Sequence, residues 1–373
     1  MKKIVLAAGF GLLAMLAQSA AADWALNMPQ GVTKISHEVY DLHMLVMYIC
    51  TGIGVVVFGA MFYSMLKHRK SQGYKAADFH ESTTVEIIWT AIPFVILVLM
   101  AIPAAKTLIA MEDTGNADMT VKITGYQWKW RYDYLDGDGK GIGFFSTLST
   151  PRDQIEGKEE KGENYLLEVD HPLVVPVNRK VRFVMTSNDV IHAWWVPDLA
   201  IKKDAVPGFI NEMWTVIDEP GTYRGQCAEL CGKDHGFMPI VVVALGEQDY
   251  LNWVEEQGAA KAGAKASANK AWSKDELLAQ GEKVYNSNCA ACHQANGQGI
   301  PGTFPAIAGS PVATGDVKGH ISTVMGGRPG TAMAAFAPQL NDVDLASVIT
   351  YQRNAFGNNT GDIVQPTQIK ASR

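Results

Sequence analysis

Cys227-Ala-Glu-Leu-Cys231-Gly-Lys-Asp-His235-Gly-Phe-Met238 places two thiols, one imidazole and one thioether within twelve residues. Sulfur donors beside imidazole nitrogen suit copper. Two other readings compete: a tetrahedral zinc site completed by the upstream His192, and a disulfide between the two cysteines. A disulfide leaves His192, His235 and Met238 without a shared purpose, and a thioether is an unusual zinc ligand, so the balance tips to copper.

The chain around this run has the texture of a β-domain. From about Met119, short alternating stretches recur at Val121–Thr124, Leu166–Val169, Lys180–Met185, Glu212–Ile217 and Pro239–Ala244. Asp136-Gly-Asp-Gly and Glu219-Pro-Gly punctuate them, which predicts an antiparallel sandwich or barrel.

Downstream, residues 256–272 are polar and low in complexity, a linker by composition. Ser273-Lys-Asp-Glu276 then has the pattern of a capping box at a helix start, and Val343 to Phe356 reads as a closing helix. Between them, Cys289-Ala-Ala-Cys292-His293 is the c-type haem attachment motif: two thiols for the vinyl groups and an imidazole for the iron. Met333 is the better candidate for the second axial ligand, because Met325 fits the apolar face of a helix with Ile321 and Val324. Of five cysteines, Cys50 lies in an apolar span, two belong to the haem motif, and Cys227 and Cys231 remain.

Upstream lies a membrane region. Residues 1–22 carry Lys2 and Lys3, an apolar core and a small-residue end, a secretory signal peptide with cleavage expected before Asp23. Two apolar spans follow, at about 44–66 and 87–105, each long enough to cross a bilayer. The loop between them holds Lys67, Arg69, Lys70 and Lys75, which places it in the cytoplasm and everything after the second span outside. Pro93 and Pro103 are tolerated within a membrane helix, with a kink expected. The net charge of −6 comes with no basic patch of the kind that binds nucleic acid.

Asp189-Val-Ile-His192-Ala-Trp, Gly225-Gln-Cys through Met238, and Gly125-Tyr-Gln-Trp128-Lys-Trp130-Arg-Tyr132 together resemble cytochrome c oxidase subunit II, in the variant that carries a fused C-terminal cytochrome c domain. The resemblance covers nearly the whole mature chain. It implies a two-helix transmembrane hairpin, an all-β cupredoxin-like sandwich and an all-α cytochrome c domain. The boundaries are a signal peptide at 1–22, an N-terminal segment and hairpin at 23–110, a dicopper domain at 111–255, a linker at 256–272, a cytochrome c domain at 273–357 and a tail at 358–373.

The same resemblance implies that Cys227 and Cys231 bridge two copper ions, with His192, His235, Met238 and the backbone carbonyl of Glu229 completing the binuclear centre. Covalent haem c would be held by Cys289, Cys292, His293 and Met333. Trp128 corresponds to the electron-entry aromatic, Glu86 to a proton-entry acid, and the Glu229 side chain to a ligand of a magnesium ion shared with subunit I. Lys129 stands where the family commonly has an aromatic residue. The implied partners are oxidase subunit I, subunit III, and cytochrome c or another electron donor, in the bacterial inner (plasma) membrane with the copper and haem domains on the periplasmic side. The implied function is electron transfer to subunit I, where oxygen is reduced to water. A subunit of a copper-containing nitric oxide reductase and a freestanding membrane-anchored electron shuttle are the rival readings.

Overall fold

The structure, a computed structural model, describes residues 27–75, 78 and 80–373. The expected signal peptide lies outside the described residues. The chain divides into two compact units, one ending at Tyr250 and the other spanning Leu251–Arg373.

Thr33 starts the first helix with a capping box: its side chain accepts from the Ser36 N–H, and the Ser36 hydroxyl accepts from the Thr33 N–H. Helix α1 runs Lys34–Lys67 and α2 runs Thr83–Glu112, both long and apolar enough to cross a membrane. Each extends well beyond the apolar run that announced it. At 1.5 Å per residue α1 is about 50 Å long, against roughly 30 Å of hydrocarbon, and its additional turns lie toward the folded domain. Pro93 and Pro103 sit inside α2, which continues through both.

The sandwich has two five-stranded sheets. The first orders β3 (Gly143–Ser146), β2 (Lys129–Tyr134), β1 (Met119–Tyr126), β5 (Val181–Ser187) and β8 (Asn211–Thr215). The second orders β4 (Leu173–Pro176), β10 (Pro239–Leu245), β9 (Gly221–Cys227), β6 (His192–Val196) and β7 (Ile201–Ala205). The sheets are mixed, which corrects the antiparallel expectation: β1 pairs with β5 in parallel, and β10 with β4. Alternating hydrophobicity reports which face of a strand is buried but not the direction of its neighbour. The Leu166–Val169 run forms no strand. Leu166 lies in a turn with φ of 62°, and Val169 makes one isolated bridge to Leu148.

Period-two alternation fills the space between the sheets. Trp130, Tyr132 and Tyr134 of β2 point inward against Phe183 and Trp194, all buried. Their polar atoms are satisfied: Tyr134 donates to the Val174 carbonyl at 2.7 Å, and the Trp194 indole donates to the Tyr132 hydroxyl at 3.2 Å. Truncating one such aromatic to alanine costs about 3–5 kcal/mol.

In the second unit, α4 (Glu247–Ser267) enters through the segment read as a linker, which is helical through Ser267 because its alanines and lysines are strong helix formers. The capping box at Ser273 opens α5 (Lys274–Asn288) as expected, with Glu276 returning to the Ser273 N–H at 2.9 Å. A short α6 (Ala290–His293) carries the haem motif, and α7 (Pro311–Thr314), α8 (Val317–Gly326) and α9 (Asp342–Asn354) follow. The last stretch is not a mere tail. Gln365 and Gln368 cap α10 (Pro366–Ser372), and Val364 and Ile369 are fully buried in the apolar core.

Candidate metal centre

Three chain segments converge at one end of the sandwich. His192 opens β6, Cys227 closes β9 opposite Trp194 of β6, and the β9–β10 loop supplies Cys231, His235 and Met238. The two sulfurs are 3.8 Å apart and neither cysteine is in a disulfide. His192 Nδ1 lies 4.0 Å from Cys227 Sγ, His235 Nδ1 3.4 Å from Cys231 Sγ, and Met238 Sδ 3.5 Å from Cys231 Sγ. The Glu229 carbonyl lies 3.3 Å from Cys227 Sγ, while its side chain is exposed. The ligand atoms of His192, Cys227 and Cys231 fall within 4.8 Å of one another, and all three residues are buried.

This donor set fits copper. Its sulfur, imidazole and thioether groups are linked by contacts of 3.4–4.0 Å, and that mixture of soft and imidazole donors is one copper takes. The cysteines titrate as a pair: hydrogen bonding to Cys231 pulls the Cys227 thiol far below its ordinary range, and the same contact pushes the Cys231 thiol up. One sulfur is therefore readily anionic, and a bound cation is needed to hold both as thiolates.

Support comes from Asp189, Gln127 and Gly125, to which the sequence assigned no role, and from Trp128. Asp189 accepts the Nε2–H of His192 at 2.8 Å, which fixes the tautomer and leaves Nδ1 facing the thiols. Burial pulls the imidazole down, but the Asp189 carboxylate and the Cys227 sulfur outweigh it, so His192 lies above its ordinary value. The second Asp189 oxygen accepts the Gln127 N–H at 2.8 Å. Gln127 in turn donates its side-chain amide to the Cys231 carbonyl, also at 2.8 Å. The indole of Trp128, half-buried, donates to that same carbonyl. Gly125 leaves room for the imidazole, since a Cβ there would stand 2.7 Å from His192 Cδ2. Only the spacing of Asp189 three residues before His192 hinted at any of this in the sequence.

Lys129 does not crown the surface near Trp128. Its stem is buried and its ammonium lies 4.8 Å from the centre of the Phe145 ring, a cation–π contact on the outer face of β2. Glu86 is exposed in the first turn of α2, where its carboxylate accepts the Ser82 N–H at 3.4 Å.

In the second unit, His293 donates Nδ1–H to the Pro305 carbonyl at 2.8 Å, which leaves Nε2 as the nitrogen available to a metal. Cys289, the residue that caps α6, is buried, and Cys292, three residues on within α6, is half-buried. Met325 packs in the apolar core, whereas Met333 is half-buried in the loop after α8, where its carbonyl accepts the Arg328 N–H. A paired-thiol and imidazole motif beside a buried apolar core suits haem.

Two apolar helices, a sandwich with a buried thiol–imidazole–thioether cluster and a helical unit with a haem motif define a membrane-anchored, metal-bearing electron carrier. Residues 119–245 match the family model of the cytochrome c oxidase subunit II periplasmic domain, and residues 21–107 match its transmembrane domain. Residues 276–351 match that of cytochrome c oxidase, cbb3-type, subunit III. The probable cytochrome c oxidase subunit 2 of Rickettsia prowazekii is 39% identical over 232 residues, 62% of this chain and 72% of that protein. That of Rickettsia bellii is 38% identical over 231 residues, 62% of this chain and 83% of the other. Among solved structures, the periplasmic domain of cytochrome oxidase subunit II from Bradyrhizobium japonicum is 41% identical, with a TM-score of 0.35, covering 39% of this chain and 98% of that one.

The chain belongs to the cytochrome c oxidase subunit II family. It is an electron-transfer subunit of a haem–copper oxidase and a membrane protein with periplasmic domains. Membership implies a copper centre, and the C-terminal cytochrome domain implies haem.

Proposed function

We propose that this subunit takes electrons from cytochrome c or another donor at the periplasmic face of the inner membrane and delivers them to subunit I, which reduces oxygen to water. In this reading His192, Cys227, Cys231, His235, Met238 and the Glu229 carbonyl hold a binuclear copper centre, and Cys289, Cys292, His293 and Met333 hold covalent haem c. When bound, the two groups supply the reversible one-electron couples that the side chains lack. Asp189 keeps the His192 ring in place, Gln127 and Trp128 grip the Cys231 carbonyl, and the sandwich keeps water from the sulfurs. Trp128 is the electron-entry side chain. Glu86 is proposed as a proton-entry acid, the Glu229 carboxylate as a magnesium ligand at the border with subunit I, and subunit III as a further partner. The signal peptide at 1–22 and the domain limits at 110, 255, 272 and 357 belong to the same proposal.

One observation carries the reading: the sulfurs of Cys227, Cys231 and Met238 and the Nδ1 atoms of His192 and His235, drawn from three segments, form a chain of contacts of 3.4–4.0 Å, with all but His235 buried. Loading the purified full chain with copper tests it. The expected result is a mixed-valence dicopper signal beside a c-type haem spectrum, with C231S abolishing the first and sparing the second. A mononuclear copper signal, or tight zinc binding without a copper spectrum, overturns it. The gas consumed by the assembled complex, oxygen or nitric oxide, separates the oxidase from the reductase reading.

A further inference from the structure

Gln352 on α9 and His320 on α8 are only 3% and 4% exposed, a buried polar pair within reach of the Arg353 charge. Burying an amide or an imidazole is unfavourable where hydrogen bonds do not compensate, and a leucine at either position would avoid that cost. The pair is also incompletely satisfied, since His320 Nδ1 has no hydrogen-bond partner. Self-satisfaction therefore does not explain it.

The geometry shows where the pair is aimed. His320 Nε2 is 3.0 Å from Gln352 Oε1, and Gln352 Nε2 is 3.8 Å from Cys289 Sγ. Burial holds the His320 imidazole down to about 4, so the ring is neutral and carries one N–H. With that N–H on Nε2, it donates to the amide oxygen, and the amide must turn its own N–H to the sulfur. The opposite amide orientation would set an oxygen against the sulfur and strand the ring N–H on Nδ1 without an acceptor, the costlier arrangement.

We propose that Gln352, held by His320, is a positioning residue for the Cys289 sulfur: its amide N–H fixes the sulfur that joins the haem edge and, by presenting a positive dipole there, raises the haem reduction potential. Hydrogen bonding near the macrocycle is one of the means by which a protein sets that potential. The inference rests on the reading of Cys289 as a haem attachment residue.

The test uses the full chain purified with its haem. Haem retained after denaturation establishes covalent attachment, and a redox titration gives the potential. Q352M keeps the side-chain volume and removes the N–H. It is expected to retain haem and to lower the equilibrium constant for reduction by about threefold, near 30 mV at 59 mV per tenfold. H320F frees the amide and should shift the potential in the same direction, and the double variant should shift it no further than Q352M alone. A purely structural pair would lower thermal stability and leave the potential where it was; an unchanged potential in Q352M overturns the proposal. If Q352M does not accumulate, an unchanged potential in H320F overturns it equally. Parent protein that loses its haem on denaturation would instead sink the reading of Cys289 itself.

Discussion

The indole of Trp128 donates its Nε1–H to the backbone carbonyl of Cys231, 3.2 Å away. An aromatic ring is thus joined through one hydrogen bond to a proposed copper ligand. W128F removes that bond and leaves the one from Gln127, so the expected stability loss is about 1 kcal/mol. Rapid-mixing reduction by an external donor should slow about tenfold, equivalent to about 1.4 kcal/mol on the barrier, while the copper spectrum stays unchanged. An unaltered reduction rate would leave Trp128 as a packing residue.

Gly125 of β1 faces the His192 ring across the sandwich, and a Cβ there would come within 2.7 Å of Cδ2 and 3.0 Å of Cγ. G125A should displace the imidazole and weaken copper retention, with an overpacking cost of about 1–3 kcal/mol. Metal analysis after dialysis, with a denaturant melt alongside, checks this. A copper-replete variant with the parent spectrum contradicts it.

The helix pair α5 and α9 crosses at Gly281, where a Cβ would stand 2.2 Å from the Ser347 carbonyl oxygen and 2.6 Å from the Tyr351 Cβ. Backbone cannot yield as a side-chain tip can, so G281A should force the helices apart at a cost of at least about 1–3 kcal/mol. A lower thermal midpoint than in the parent, followed by the helical circular-dichroism signal, is the expected readout.

His320 makes the stability of the second unit depend on pH. Burial holds its folded value down to about 4 from 6.5, aided by the Arg353 charge and opposed by Gln352. Between those values the unfolded chain takes up the proton and the folded unit does not, so stability rises with pH and is lost as pH falls from about 6.5 to about 4. The loss is at most about 3–4 kcal/mol at 1.36 kcal/mol per pH unit. Thermal melts across that range should show a slope that H320F flattens. An equal slope in both proteins would place the acid sensitivity elsewhere.

The chemistry of this chain was more legible than its architecture. Cys227, Cys231, His235 and Met238 lie in one short run, and Cys289, Cys292 and His293 in another, so local spacing is enough to propose them as ligands. The Ser273 capping box was equally local and formed as expected. What local pattern does not carry is the identity of a strand's neighbour, hence the parallel pairings of β1 with β5 and β4 with β10. The orienting residues were hidden for the same reason. Asp189 and Gln127 are 62 positions apart in sequence and meet only through the fold. Gln352 and His320 resemble ordinary helix residues until α8 and α9 pack. Val364 and Ile369 fall within the stretch expected as a tail, and both are buried, Ile369 on α10.

The sandwich is fastened to both ends of its membrane hairpin. Before α1, the Val32 N–H donates to the Asp198 carbonyl and the Val32 carbonyl accepts the Asp218 N–H. At the end of α2, the Trp214 indole donates to the Ala110 carbonyl and Lys180 Nζ to the Asp113 carbonyl at 2.8 Å. A domain on one strut can swivel about it, whereas two struts resist rotation. The direction in which the Cys227–Cys231 pocket faces is therefore set mechanically by bonds distant from any metal ligand, and loosening Trp214 or Lys180 would misaim the pocket while leaving its contents intact.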